Sequence, residues 1–184
     1  MACCPLPVSD LHRRRPPGAP RRHGFTLVEL MVTMAVMVIV LAMATPSMAD
    51  FTANNQLSSA KSALASALAL ARSEAARRGL PVIVAAKAGG AGGNELGKGW
   101  ELVADDDSDG AAADSEPRLR VFAAPDARVR IAGPTALIFR ATGALSGNAA
   151  QVYTVCRSDG SSRGYSVTVT PSGVADVATI SSCT

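Results

Sequence analysis

The chain is organised around the stretch "RRHGFTLVELMVTMAVMVIVLAMA", residues 21–44. Its last 20 residues are almost entirely apolar and carry one charge only, that of Glu29. In a helix they would span about 30 Å, the thickness of the hydrocarbon core of a bilayer. Five arginines lie within residues 1–24, and positive charge holds the flanking side of such a helix in the cytoplasm. We therefore predict a transmembrane helix over residues 25–45.

Glu29 is the unusual feature of this helix, because a carboxylate at the centre of a membrane segment costs about 2.5–3.5 kcal/mol, and less near its end. Three interpretations compete. The first is a plain signal anchor. The second is a secretory signal peptide cut after Ala44 at the small-residue site Ala42-Met43-Ala44. The third is a segment in which Glu29 has a function. An acid within the apolar region is unfavourable for a signal peptide, whereas the third interpretation requires Glu29.

The third interpretation rests on "GFTLVEL", residues 24–30, which resembles the type III signal of type IV pilins and type II secretion pseudopilins. The resemblance implies that a prepilin peptidase cuts between Gly24 and Phe25, that Phe25 is then N-methylated, and that residues 1–24 are a cleaved leader. It also implies that Glu29 serves filament assembly by meeting the free amine of Phe25 on a neighbouring subunit. Such a buried pair adds register specificity more than stability. The alternative is a tolerated acid that snorkels to the membrane interface.

The composition after the leader argues against an enzyme and against a general affinity for nucleic acid. The chain has a net charge of +3, but residues 1–24 hold five of its 18 basic and one of its 15 acidic residues. The remainder has 13 basic and 14 acidic residues, a net charge of −1, which gives no global attraction for nucleic acid. Both histidines, His12 and His23, lie in the leader, so no imidazole remains for a catalytic triad or a zinc site.

A second helical segment follows over residues 46–79. Pro46 is expected to kink the helix, because it cannot donate to the preceding turn. Beyond it, apolar residues recur at spacings of three, four or seven, which indicates one buried helical face. They are Leu57, Leu64, Leu68, Ala71 and Ala75. Gly79 and Pro81 then end the pattern. We predict one helix, roughly Phe25 to Arg78, whose second half packs on a head domain.

Residues 80–184 have the pattern of a β-rich head. Eight short segments with strand character are separated by clusters of Gly, Pro, Asp or Ser. They cover residues 81–86, 100–104, 119–123, 128–132, 137–140, 152–156, 165–170 and 174–180. A long helix followed by eight strands predicts an α+β fold, with the helix packed on a small antiparallel sheet sandwich. Trp100 and Phe139 are expected in its core.

In the order of its motifs, the whole chain resembles the GspH/FimT group of minor pilins and pseudopilins. The matching motifs are ARSEAARRGLPV, GKGWELVADDDSDG, EPRLRVF, LIFRATG and YTVCRSDGSSRGYSVTVTPSG, in that order from residue 71 to residue 173. The resemblance implies a pilin-like fold and a non-catalytic subunit of a type II secretion pseudopilus or a related type IV pilus. Its implied partners are other pilin or pseudopilin subunits, the prepilin peptidase and an inner-membrane assembly platform. Its implied location is the bacterial inner membrane, crossed once, with the head in the periplasm.

The alternative function is that of a FimT-like minor pilin that takes part in DNA uptake. Some members of the group bind DNA through an arginine-bearing motif beside the final strand. This chain departs from that pattern, since residues 165–184 contain no Lys or Arg. Only four arginines could form a patch, and we do not expect nucleic acid to be a partner. These are Arg128, Arg130, Arg157 and Arg163.

Cys156 and Cys183 are the only cysteines after the leader, and they would face an oxidising periplasm. We predict a disulfide between them that pins the C-terminal strand at an exposed edge of the head. By the chain-entropy estimate, closing this loop stabilises the fold by about 3.5 kcal/mol. The alternative is a pair of buried thiols.

The acidic stretch "DDDSDGAAADSE", residues 105–116, has the spacing of an EF-hand calcium loop. Asp105, Asp107 and Asp109 could converge on one hard cation, and Glu116 could close the shell. The flanking segments look like strands rather than helices, however. The alternative is an acidic, solvated hairpin loop without a metal, and no other cofactor is expected.

Overall fold

A computed structural model of the protein describes residues 24–161 and 163–183, apart from the side chains of residues 44–47. The predicted leader therefore lies outside the described residues, except for Gly24. The chain divides into two compact units, one ending at Met43 and the other beginning at Ala44. The second unit contains the whole head domain.

The helix α1 covers Leu27–Arg78, two residues shorter at its start than predicted. The reason is a cap, because the hydroxyl Oγ1 of Thr26 accepts a hydrogen bond from the backbone N–H of Glu29 at 3.2 Å. The C-terminal end is as predicted. Gly79 has a φ of 70° and its N–H donates to the carbonyl oxygen of Ala75 at 2.9 Å, so glycine takes the left-handed position after the helix.

Pro46 lies inside α1, which is helical on both sides of it. Its side chain is among those that the structure does not describe, so the kink at Pro46 stays a prediction.

The eight predicted strands are all present, and every boundary lies within one residue of its predicted position. They are β1 (Val82–Ala86), β2 (Trp100–Ala104), β3 (Arg118–Phe122), β4 (Val129–Ala132), β5 (Ala136–Phe139), β6 (Gln151–Arg157), β7 (Gly164–Val169) and β8 (Ala175–Ile180). They form two four-stranded antiparallel sheets, in the orders β3-β2-β1-β5 and β4-β6-β7-β8.

The core of the head joins one face of α1 to both sheets. All five residues of the predicted helical stripe, from Leu57 to Ala75, are buried in it. Trp100 and Phe139 are also buried there, as predicted, together with Tyr153. The fold is thus α+β, with a long helix packed on a β-rich head.

Two of the four sheet edges are covered by local segments. The outer edge of β4 is held by the loop before β2, where the Asn94 side chain accepts the N–H of Ile131 at 2.9 Å and the Glu95 carboxylate accepts the N–H of Gly133 at 3.1 Å. The returning chain after β5 covers the second edge, through a hydrogen bond from the N–H of Ser146 to the oxygen of Ile138. In the described part of the chain, β3 and β8 are left as open edges.

Candidate functional site

The N-terminal segment is exposed at every described position up to Met43, and most of its side chains are apolar. From Leu27 to Met43 each one is exposed, and Phe25 keeps 79% of its surface. By length and composition, α1 is the one described helix apolar enough to cross a membrane. An apolar surface of this extent needs a lipid or protein partner.

Glu29 is exposed on this segment and is its only charged residue. The hydrogen bond at Thr26 uses the backbone N–H of Glu29, and the Glu29 carboxylate has no hydrogen-bond or ion-pair partner among the described residues. A Cβ at Gly24 would have no atom within 4 Å in this structure. The cleavage after Gly24, the methylation of Phe25 and the assembly role of Glu29 remain predictions.

In the head, the disulfide between Cys156 and Cys183 is present as predicted, with Cα atoms 5.9 Å apart. Cys156 lies on β6 and Cys183 follows β8, so the bond passes across the intervening strand β7. Gly164 is the β7 residue paired with Cys156. A Cβ there would lie 2.5 Å from Sγ of Cys183 and 3.0 Å from Sγ of Cys156, so only glycine leaves room for the bond.

Gly164 was not identified as a site residue from the sequence. The sequence around Gly164 does not predict this role, because the need for glycine comes from a disulfide between Cys156 on β6 and Cys183 after β8. The position of β8 at the sheet edge agrees with the predicted role of the disulfide in pinning that strand.

The acidic loop brings together three of its four predicted calcium ligands. One carboxylate oxygen from each of Asp105, Asp107 and Asp109 lies within 4.8 Å of the others. Asp105 is buried, whereas the other two are exposed. These oxygens are of the type that a hard cation prefers, so the three aspartates fit the ion.

Backbone hydrogen bonds supply a second explanation for the two buried acids of this loop. The two oxygens of Asp105 accept the N–H groups of Asp109 and Gly110, both at 3.1 Å. The oxygens of Glu116 accept those of Asp106 and Ala113, at 3.2 and 2.8 Å. Both carboxylates therefore fold the loop whether or not a cation binds, and the calcium site stays a prediction.

The four arginines proposed for a DNA-binding patch do not act as four free cations. Arg157 donates to Asp50 at 3.1 Å and also pairs with Asp159. The hydrogen bond to Asp50 is the main reason that the pKa of Arg157 is raised. Both partners neutralise its charge, and the contact with Asp50 ties β6 to α1.

The other three arginines have different surroundings from one another. Arg130 on β4 is partly buried, and its Nε has no hydrogen-bond partner among the described atoms. Arg128 precedes β4 near Arg157, since Val129 is the register partner of Arg157. Arg163 precedes β7 and lines a cavity beside α1.

Comparisons with known proteins add two family matches. The family model for the type II transport protein GspH matches residues 60–173, more than half of the chain. The model for the prokaryotic N-terminal methylation motif matches residues 19–45, which contain Gly24, Phe25 and Glu29. A comparison with curated proteins gives no significant match.

Among solved structures, two crystal structures of the type IV minor pilin FimU from Pseudomonas aeruginosa (strain PAO1) share this fold. The crystal in space group P65 has 20% sequence identity and a TM-score of 0.56, over 70% of this chain and 100% of that chain. The crystal in space group P21 has 23% identity and the same TM-score, over 73% of this chain and 99% of that chain. At this identity the likeness concerns the fold.

Proposed function

The chain belongs to the family of the type II transport protein GspH, and on that premise we propose that it is a non-catalytic minor pseudopilin. In this proposal it enters a periplasmic type II secretion pseudopilus, or a related type IV pilus, through its N-terminal helix. Its partners are other pilin-type subunits, the prepilin peptidase and the inner-membrane assembly platform. The membrane is crossed once, and the head lies in the periplasm.

The observation that carries the proposal is the exposed apolar segment with one acid, directly after the Gly24–Phe25 junction. Seventeen consecutive positions, Leu27–Met43, have no buried side chain. Processing at the junction would leave a free, methylated amine on Phe25, four residues before the carboxylate of Glu29. In a bundle of such helices, the amine of one subunit and the carboxylate of the next can neutralise each other in an apolar medium.

The head fits a structural role. It is stabilised by a core, a disulfide and the cover on two of its four sheet edges, and the sequence after residue 23 offers no histidine for acid–base catalysis. DNA uptake has weaker support, because Arg157 is already paired with Asp50 and Asp159. We therefore propose filament assembly as the function and keep DNA uptake as the alternative.

The test is substitution of Glu29 by Ala in cells that assemble the filament. We expect the N-terminus of the protein still to begin at Phe25, while the amount recovered in sheared or pulled-down filaments falls at least about tenfold. The reason is that removal of Glu29 leaves the amine of the neighbouring Phe25 as an uncompensated charge in an apolar medium. N-terminal mass spectrometry and quantitative immunoblotting measure the two outcomes. The bond to Thr26 survives this change, because it uses the backbone of Glu29.

Glu74→Ala is the matched control, as it removes a carboxylate from the same helix. Glu74 is paired with Arg77 and Arg78 at the far end of α1. Filament entry should be normal in this variant, because exposed pairs of this kind contribute little. Normal entry of the Glu29→Ala protein would instead support the snorkelling alternative, and an N-terminus at Thr45 would contradict the pilin interpretation.

A further inference from the structure

A groove runs along the head between α1 and the edge strand β8, and we name it the α1–β8 groove. It widens into two cavities of about 540 and 530 Å³. The first lies between Leu57 of α1 and Thr179 near the end of β8. The second lies between Ala65 of α1 and Ala175 at the start of β8. Val177, midway along β8 between these two cavities, keeps 44% of its surface exposed.

The backbone of β8 is open along this groove. The N–H of Thr170 donates to the oxygen of Val174, so these two residues form a hydrogen-bonded pair. In the antiparallel β7–β8 ladder, hydrogen-bonded pairs recur at every second residue. Residues 174, 176, 178 and 180 therefore bond to β7, and residues 175, 177 and 179 direct their N–H and C=O groups to the open side. β8 pairs with β7 alone among the described strands, and its register has no bulge.

The other open edge, β3, is protected in ways that β8 is not. Arg118 and Arg120 are exposed on β3, and its pairing with β2 is interrupted by a register shift between Leu102 and Val103. Charges and bulges of this kind block the addition of another strand. β8 has neither Lys, Arg nor Pro, and its only charge is Asp176.

Three cations border the α1–β8 groove, and none of them forms an ion pair with another described residue. Lys61 lies with its Nζ 4.7 Å above the ring of Tyr165, which lines the first cavity. Arg163 lines that cavity, and Arg72 lines the second. Lys61 and Arg72 are eleven residues apart, which places them on the same flank of the helix.

We propose that the α1–β8 groove receives an extended acidic segment of another protein subunit, added as a strand along β8. Its backbone pairs with the open groups of residues 175, 177 and 179. Side chains at alternate positions point into the groove, because successive side chains of a strand alternate in direction. Carboxylates at these positions reach Arg163 at one end and Arg72 at the other, with Lys61 between.

The dimensions agree with a short strand. β8 has six residues, which corresponds to about 20 Å, and the two cavities flank its two ends. A segment of seven to nine residues would therefore occupy both. Nucleic acid also carries negative charge, but it cannot complete a β ladder, so the open backbone favours a peptide. The proposal concerns the head alone and does not depend on the role of Glu29.

The test uses the full-length protein in detergent and a fluorescein-labelled nine-residue peptide of alternating Glu and Thr. We expect saturable binding by fluorescence anisotropy at ~150 mM salt. The same peptide methylated on alternate backbone nitrogens should bind at least about tenfold more weakly, because strand addition depends on main-chain hydrogen bonds. A peptide of alternating Lys and Thr should not bind, because the groove is cationic.

Two variants and one control test the residues. Arg72→Gln combined with Arg163→Gln should weaken binding about tenfold, whereas Arg120→Gln on the other open edge should leave it unchanged. Val177→Pro removes one N–H from the open side and spares the ladder to β7, so it should weaken binding without unfolding the head. Thermal melts check that each variant is folded.

Several results would overturn the proposal. They are the absence of binding by the Glu/Thr peptide, equal binding of the methylated peptide, or an equal loss in the Arg120→Gln control. If duplex DNA displaced the peptide and needed Arg72 and Arg163, the groove would belong to nucleic acid instead. Each outcome is independent of processing at Phe25.

Discussion

Two stretches of α1 differ sharply in what surrounds them. From Leu27 to Met43 every side chain is exposed, although almost all are apolar. From Ala53 to Ala75 one face is buried in the head, and the opposite face carries small and polar residues. The same helical backbone thus supports two patterns, and the pattern decides whether apolar surface is covered inside the chain or needs a medium outside it.

The largest contrast between the two stretches should come from truncating one leucine in each. Leu64 is fully buried, so Leu64→Ala should lower the free energy of unfolding of the head by about 4 kcal/mol. Leu30 is 55% exposed, and Leu30→Ala should leave it unchanged. Denaturant unfolding of the detergent-solubilised protein measures both, with fluorescence of the single tryptophan, Trp100, reporting on the core. Equal losses would mean that the two stretches share one folding unit.

Removal of the disulfide should have the next largest effect, and it should be confined to the head. Cys183→Ser is expected to lower the free energy of unfolding by up to about 3.5 kcal/mol, because the loop between the two cysteines, which lie 27 positions apart, is no longer closed. Reduction of the wild-type protein should give the same loss, and reduction of the variant should give none. If the variant were as stable as the oxidised protein, the bond would have no structural role.

The smallest expected effect concerns the acidic loop. If Asp105, Asp107 and Asp109 hold calcium, ~2 mM calcium should raise the melting midpoint of the head by a few degrees relative to chelator, as binding to the folded state dictates. Asp107→Asn should abolish the shift, since Asp107 is exposed and contributes one of the three clustered oxygens. An unchanged midpoint, or an equal shift from magnesium, would leave a solvated loop folded by its own carboxylates.

Much of the fold follows from local patterns in the sequence. The stripe from Leu57 to Ala75 predicts the buried face of α1, because a period near 3.6 residues places those side chains on one side. Alternation and turn residues predict all eight strands. Gly79 ends the helix as expected, because it takes the left-handed conformation, which glycine adopts without a steric penalty. The helix α1 begins two residues later than predicted, because Thr26 caps it.

What the sequence by itself determined is therefore the elements, the exposed apolar segment and the pair of cysteines. The tertiary structure alone decided which edges are open, why residue 164 must be glycine, and that Arg157 is neutralised by Asp50, 107 positions away. The physical reason is the separation along the sequence between the residues that decide each feature. Helix and strand patterns depend on residues a few positions apart, whereas strand order, a disulfide that crosses β7 and ion pairs between β6 and α1 depend on distances that exist only once the chain has folded.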